Sequence, residues 1–152
     1  MNASTDCTRR RLLAAGAGVV ALVSMRHAVA ASEDLQAAIR AFAGDATVRG
    51  GRVRLDIAPL VENGNTVPIT VSVDSPMSAD NHVKTIAVFN ELNPQREVAV
   101  FHLTPRSGRA GVSTRIRLAT SQKLVALARL SDGSVWSATA EVVVTLAGCV
   151  ES

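Results

Sequence analysis

From residue 50 onward, apolar side chains tend to recur at every second position, and turn residues interrupt the pattern at short intervals. Seven segments are predicted to be strands, at residues 53–57, 67–73, 83–90, 99–103, 112–118, 124–130 and 135–146. A period of two places alternate side chains on opposite faces of a strand. No helical run is long enough for the crossovers of a parallel sheet. About seven strands at this spacing therefore predict an all-β antiparallel sandwich.

Two short segments predict how neighbouring strands connect. Glu62-Asn63-Gly64-Asn65 is a strong turn signal, and Ser131-Asp132-Gly133-Ser134 predicts the clearest hairpin of the chain. Pro68 interrupts one strand segment and has no N–H to donate. Its strand is therefore predicted to lie at a sheet edge or to bond elsewhere around the proline.

A short helix is predicted ahead of the strands. Ser32 offers a capping hydroxyl, and two acidic residues follow it in the first turn. Leu35, Ile39 and Phe42 fall on one face, and Gly44 is a suitable C-terminal cap. So short a helix is stable only when it packs against something larger.

Residues 1–30 have the three-part form of a secretory signal peptide. A basic start is followed by the uncharged segment 12–25, and Ala28-Val29-Ala30 predicts cleavage before Ala31. As a helix the apolar segment would reach only about 21 Å, too short to span a bilayer, so no membrane association is expected after cleavage. Thr8-Arg9-Arg10-Arg11-Leu12-Leu13 resembles the twin-arginine export motif, which implies a periplasmic protein exported already folded. An Arg-rich general secretion signal is the alternative.

Charge and motifs exclude several classes of function. Residues 31–152 hold twelve basic and twelve acidic residues, so they lack the cationic surplus that a nucleic-acid binder needs. The serine elbow, the P-loop and the dinucleotide fingerprint are absent from the sequence. No arrangement of nucleophile, base and orienting group is evident, so the chain is predicted not to be an enzyme and to need no cofactor.

Three further candidates have alternative interpretations. The predicted mature chain contains two histidines, His82 and His102. Asp80 and His82 could bind a metal together, but a turn is the favoured interpretation of this segment, so no metal site is predicted. Trp136 is assigned to the core or an interface. The densest basic stretch is either a solvated face or a patch that attracts anions or a partner, and consists of Arg106, Arg109, Arg115 and Arg117.

Cleavage would remove Cys7 and leave Cys149 as the single thiol of an exported chain. Residues 147–152 are predicted to form a flexible arm, with Ala147, Gly148 and Val150 around the cysteine, and to project it about 10 Å beyond Leu146. No Lys, Arg or His lies within ten residues of Cys149 in sequence, so the thiol is not expected to be self-activated unless folding supplies a cation. A tether for a covalently carried group fits this pattern. A surface cysteine without consequence and an intermolecular disulfide are the alternatives.

An ordered series of motifs resembles the SoxY family of sulfur carriers in bacterial thiosulfate oxidation. The motifs cover essentially the whole mature chain and include Pro59-Leu60-Val61-Glu62-Asn63-Gly64-Asn65, Asp80-Asn81-His82-Val83-Lys84, Phe101-His102-Leu103-Thr104-Pro105 and Leu130-Ser131-Asp132-Gly133-Ser134-Val135-Trp136. The resemblance implies an immunoglobulin-like domain over 31–146, a heterodimer with a SoxZ-like subunit, and Cys149 as the attachment point for sulfur. It also implies three partner enzymes: a haem enzyme that conjugates thiosulfate, a hydrolase that releases sulfate, and a dehydrogenase for the sulfane sulfur.

The sequence departs from the family at this same site. The family tail is Gly-Gly-Cys-Gly-Gly, whereas Ala147-Gly148-Cys149 is followed here by Val150-Glu151-Ser152. Side chains replace flexible backbone, and Glu151 places a negative charge near an anionic cargo. Two functions follow: a sulfur carrier, or a divergent interaction subunit that pairs with a β-domain partner and has lost the carrier role. A thiol enzyme acting alone is a third and weaker interpretation.

Overall fold

A computed structural model describes residues 31–148 and builds this part of the chain mainly from β-strands. Residues 31–43 are helical (α1). Nine strands follow in the described chain: β1 Val48–Gly50, β2 Val53–Asp56, β3 Leu60–Asn63, β4 Val67–Val73, β5 Val83–Asn90, β6 Glu97–His102, β7 Gly111–Ile116, β8 Gln122–Leu130 and β9 Val135–Leu146. All seven predicted strands are present, and β1 and β3 were not predicted.

The strands form two sheets, which confirms the predicted sandwich. One sheet has the order β1-β9-β8-β5-β6 with β3 also on β9, and the other has the order β2-β4-β7. Neighbours are antiparallel except at β9, where β1 pairs in parallel with the start of the strand and β3 in parallel with its end. The sandwich is therefore antiparallel as predicted, with two additional parallel pairings at β9.

Pro68 lies in a central strand rather than at an edge. β4 pairs with β7 from Val67 onward, but its pairing with β2 begins only at Thr70. At Pro68 the strand thus has a neighbour on one side alone. Because no strand lies on the other side of Pro68, its missing N–H removes no ladder hydrogen bond there. This matches the predicted arrangement in which the strand forms its bonds elsewhere around the proline.

The core lies between the sheets and is made by alternate residues, as the sequence period predicts. Val67, Ile69, Val71 and Val73 of β4 are all buried. They pack in one cluster with inward-facing residues of β5 and β8, including Ile86, Val88, Leu124, Ala126 and Ala128.

Strands β5 and β8 are buried on both faces, which explains their nearly continuous apolar sequence. Ala87, Phe89, Val125 and Leu127 face away from the other sheet and pack beneath α1 in a second cluster with Leu35 and Ala43. The rings of Phe42 and Phe89 meet edge to face with centroids 6.0 Å apart. The predicted apolar face of the helix is therefore confirmed.

Gly44 ends the helix in the predicted way. Its φ is +60°, in the left-handed region that favours glycine, and its N–H donates to the carbonyl of Arg40 at 2.8 Å. In the described residues, no helix is both long enough and apolar enough to cross a bilayer. The predicted signal peptide, residues 1–30, lies outside the described residues.

The predicted hairpin joins β8 to β9 and is closed by side-chain hydrogen bonds. Asp132 Oδ1 accepts from the hydroxyl of Ser134 at 2.6 Å and from its N–H at 2.9 Å. The Ser134 hydroxyl in turn accepts from Nε1–H of Trp136 at 3.0 Å. These donors, the hydroxyl first, hold the pKa of Asp132 below its ordinary value, and the charge of Arg52 adds to the effect.

We predict that Ser134→Ala raises the pKa of Asp132, because the hydroxyl that contributes most to lowering this pKa is lost. A depressed folded-state pKa contributes stability above the unfolded pKa, and this contribution is lost as pH falls through the folded value. The variant should therefore have a lower free energy of unfolding than wild type at neutral pH, and this difference should become smaller in acid. The part that remains in acid is due to the lost hydrogen bond with Trp136. NMR titration of the Asp132 carboxyl measures the pKa. Ser131→Ala is the matched control, because the Ser131 hydroxyl donates to the carbonyl of Asp80 instead.

Candidate functional site

The candidate site lies at the end of β9, the strand that leads to the single mature cysteine. β9 pairs with β8 through Val142 and then with β3 through Leu146. Two residues of this end are also held by bonds that involve side chains: the Val144 N–H donates to Ser121 Oγ, and Thr145 Oγ1 donates to the carbonyl of Glu62. The strand is therefore held on both sides close to its last residue.

A chain of three backbone hydrogen bonds continues this hold beyond the strand. Gly64 N–H donates to the carbonyl of Leu146, and Leu118 N–H donates to the carbonyl of Gly64. Gly148 N–H then donates to the carbonyl of Leu118. Each of the three bonds is 2.8 Å long. Gly148 is buried, and Cys149 is the next residue of the chain.

Gly64 and Gly148 are glycines because the backbones approach too closely for a side chain. A Cβ on Gly64 would lie 2.3 Å from the carbonyl oxygen of Leu118 and 2.7 Å from the nitrogen of Gly148. A Cβ on Gly148 would lie 2.8 Å from that same oxygen. The predicted turn at Gly64 is present, but its glycine is required by this packing.

The predicted flexible arm, residues 147–152, lies only partly within the described residues. Of that arm, only Ala147 and Gly148 lie within the described residues, and Cys149 and Val150 lie outside them. Ala147 is exposed, whereas Gly148 is buried and hydrogen-bonded to Leu118. Tertiary packing thus attaches Gly148 to the domain.

Folding brings an arginine to the residue that precedes the thiol. Cγ of Arg117 would lie 2.8 Å from a Cβ on Gly148, so the stem of the arginine packs against this glycine. Sequence analysis found no cation near Cys149 along the chain and left open whether folding supplies one. The contact places the stem of Arg117 against the residue that comes before Cys149.

The other candidates lie elsewhere in the fold. Asp80 and His82 belong to the turn before β5, where Nδ1 of His82 lies 3.1 Å from the carbonyl of Ser78. Within residues 31–148, no group of three or more His, Cys, Asp or Glu is placed to hold a metal. Trp136 is half-buried, and Arg49 and Arg52 lie over its ring at 5.9 and 5.2 Å.

The basic stretch does not form one patch along the chain. Arg106 and Arg109 lie in the loop before β7, whereas Arg115 is near the end of this strand and Arg117 follows it. All four side chains are exposed. Of the four arginines, Arg117 is the one found among the nearest contacts of Gly148, which charge density in the sequence does not reveal.

Comparison with known families and structures identifies what the chain is similar to. A family model described as "Sulfur oxidation protein SoxY" matches residues 39–149, a range that ends on Cys149. The sulfur carrier protein SoxY from Chlorobium limicola f thiosulfatophilum is similar in structure, with a TM-score of 0.64 and 29% identity. The alignment covers 76% of this chain and 99% of that one, which supports the immunoglobulin-like assignment.

More distant structures share the fold alone. A superoxide reductase (neelaredoxin) from Ignicoccus hospitalis aligns with a TM-score of 0.55 and 19% identity over 62% of this chain and 80% of its own. A putative superoxide reductase from Thermotoga maritima aligns with a TM-score of 0.53 and 20% identity over 68% and 89% of the two chains. No curated protein matches this chain.

We predict that Gly64→Ala disrupts the attachment of Gly148, because the new methyl group would clash with backbone atoms that cannot rotate away. The expected loss of stability is about 1–3 kcal/mol, typical of overpacking. Gly50→Ala is the matched control, since a Cβ there meets nothing within 4 Å. Denaturant unfolding measures the stability, and hydrogen exchange of the Gly148 amide reports the bond to Leu118. Unchanged protection of that amide in a destabilised Gly64→Ala protein would contradict the assignment.

Proposed function

We propose, from the premise that the chain belongs to the SoxY family, that it is a periplasmic sulfur carrier with Cys149 as its attachment point. The observation that carries the proposal is the family match, which extends through the fold and reaches this cysteine. The fixed position of Gly148 directly before it supports a defined site on the domain surface. We further propose that the carrier works as a complex with a SoxZ-like subunit.

The proposed chemistry uses the thiol as a handle and requires other proteins to transform the cargo. Thiosulfate joins the deprotonated thiol through a new S–S bond, and a haem enzyme accepts the two electrons released. The adduct then ends in a sulfonate, Cys–S–S–SO₃⁻. A hydrolase adds water, releasing sulfate and two protons and leaving a persulfide anion on the cysteine. A dehydrogenase then oxidises the outer sulfur of the persulfide to a sulfonate, Cys–S–SO₃⁻, taking up three waters, releasing six protons and passing six electrons to its own electron acceptor.

We assign the chain itself no catalytic step. Hydrogen bonds within the hairpin explain the lowered pKa of Asp132. This hairpin precedes β9, whereas Gly148 follows β9, so the perturbed carboxylate and the attachment site are at opposite ends of the strand. A carrier activated by its partner enzymes agrees with this arrangement.

A second candidate function is a non-catalytic interaction subunit. Leu60 and Val143 are register partners on β3 and β9, and they are 58% and 54% exposed. Leu146, at the end of β9, is 61% exposed. Large apolar side chains exposed together favour contact with another protein. In this alternative the chain still binds a partner subunit, but it has lost the carrier role because its tail is Val150-Glu151-Ser152.

We predict that the mature chain, incubated with thiosulfate, its partner subunit and the conjugating enzyme, gains a thiosulfate-derived adduct. Intact mass spectrometry detects it, and Cys149→Ser abolishes it because no other thiol follows residue 30. Recovery of the heterodimer with Cys149→Ser shows that assembly is intact. A wild-type complex that forms normally and stays unmodified would favour the interaction subunit instead.

We also predict that the divergent tail slows loading by the partner enzymes. Replacing Val150 and Glu151 together by glycine should increase the loading rate, because the change removes two side chains and one negative charge next to the cargo. Glu151→Gln tests the charge alone and should give part of the gain. Equal rates for all three proteins would show that these side chains do not limit recognition.

A further inference from the structure

Strand β6 forms an open edge of the larger sheet. Its inner side pairs with β5, and within residues 31–148 no strand lies on its outer side. All six residues of β6 are exposed or half-buried, whereas most residues of the neighbouring β5 are buried. The backbone groups on the outer side of β6 are therefore available for pairing with a further strand.

Hydrogen bonds at the two ends of β6 show which backbone groups point inward. The carbonyl of Arg96 accepts from the N–H of Asn90 at 2.9 Å, just before the strand begins. The N–H of Leu103 donates to the carbonyl of Lys84 at 2.9 Å, just after the strand ends. Both flanking residues are therefore turned towards β5. Along an antiparallel strand, successive residues direct their backbone groups to alternate sides.

A bulge in β6 fixes the count between these two ends. The register on β5 passes from Ala99 directly to Glu97, so Val98 is the additional residue. With the bulge included, the alternation from both ends agrees. The residues whose backbone N–H and C=O groups point outward are Glu97, Val100 and His102.

Strand β6 lacks the features that block pairing at the other sheet edges of the described chain. β1 and β3 have only three and four residues. β2 carries the exposed residues Arg54 and Asp56, and β7 carries the exposed Arg115. Short strands and charged side chains disfavour pairing between edges. In β6 the charged or titratable residues occupy only the two ends, and residues 98–101 between them are apolar.

The outward residues of β6 are complementary to a second copy of the same strand. In an antiparallel pair centred on Val100, the two valines exchange two N–H···O bonds across a two-fold axis. Glu97 of each copy then lies opposite His102 of the other copy. The partners of these three residues on β5 are alternate residues from Thr85 to Phe89, so their side chains share one face of the sheet. A carboxylate opposite an imidazole is a favourable cross-strand pair, and here it occurs twice.

We propose that the chain associates with a second copy of itself through β6, so that one antiparallel sheet runs across both domains. This association is separate from the proposed carrier function and uses no residue of the attachment site. β8 and β5 lie between β9 and β6, which places the two strands about 14 Å apart at the usual strand spacing. The end of β9 in each copy therefore stays open to the SoxZ-like subunit and to the enzymes that act on the cargo.

Sedimentation velocity of the mature chain at increasing concentration tests the proposal. A reductant prevents Cys149 from forming a disulfide between chains, and wild type should show a monomer–dimer equilibrium. Val100→Pro should raise the dissociation constant at least about tenfold, because both bonds of the central pair lose their donor. This N–H points away from β5, so the proline removes no bond within the domain. Val100→Ala is the matched control: it keeps the N–H and should stay within about threefold of wild type.

A charge exchange tests the antiparallel arrangement of the two copies. His102→Glu places two carboxylates opposite each other at both ends of the pair and should weaken association about three- to tenfold. Adding Glu97→Lys restores an opposite charge at each end and should recover most of the loss. Both residues are exposed, so these variants should fold. A double variant that associates as weakly as His102→Glu would overturn the arrangement.

Three further results would overturn the proposal. A wild-type chain that remains monomeric at millimolar concentration would show that β6 does not pair. A dimer that Val100→Pro leaves unchanged would use another surface, such as that of Leu60, Val143 and Leu146. Displacement of the second copy by the SoxZ-like subunit would assign the edge to that subunit. None of these measurements involves loading of Cys149, so the association and the carrier function stand or fail separately.

Discussion

The hydrogen bonds that join Leu146, Gly64, Leu118 and Gly148 determine what the end of this chain can do. They extend the order of β9 past its last sheet partner and carry it to the residue before Cys149. Three separate segments must meet within hydrogen-bonding distance for this to occur, and two of the contact points have no space for a Cβ atom. The site therefore depends on the whole sandwich, since displacement of either sheet would break one of these bonds.

Strand β9 connects two structural features, one at each of its ends. It starts at a hairpin closed by Asp132, Ser134 and Trp136 and finishes at the attachment of Gly148. Its neighbour β8 is buried on both faces, between the core and α1. The short helix thus contributes indirectly to the site: it covers the outer face of the sheet and allows the central strands to be apolar throughout, which stabilises the scaffold on which β9 rests.

The sequence predicted what depends on local pattern. Alternation identified the seven longer strands, and Ser131–Ser134 and Gly44 were assigned from turn and cap chemistry. The three-residue β1 and four-residue β3 are too short to show a period, and their parallel pairing with β9 depends on tertiary structure. The same limit applies to the site: nothing adjacent in sequence relates Arg117 or Leu118 to Gly148, so an arm that looked free from residue 147 is anchored one residue before the thiol.

An anchored Gly148 changes how a carried group must be presented. A long flexible tether lets a cargo enter a deep cleft while the domain stays at a distance, whereas a cargo attached next to a fixed residue brings the domain surface with it. Enzymes that act on Cys149 would therefore contact the end of β9 as well, where Leu60, Val143 and Leu146 are exposed. Side chains at Val150 and Glu151 fit this mode of recognition better than deep insertion. The divergent tail and the anchored glycine thus favour partners that contact the domain surface as well as the cargo.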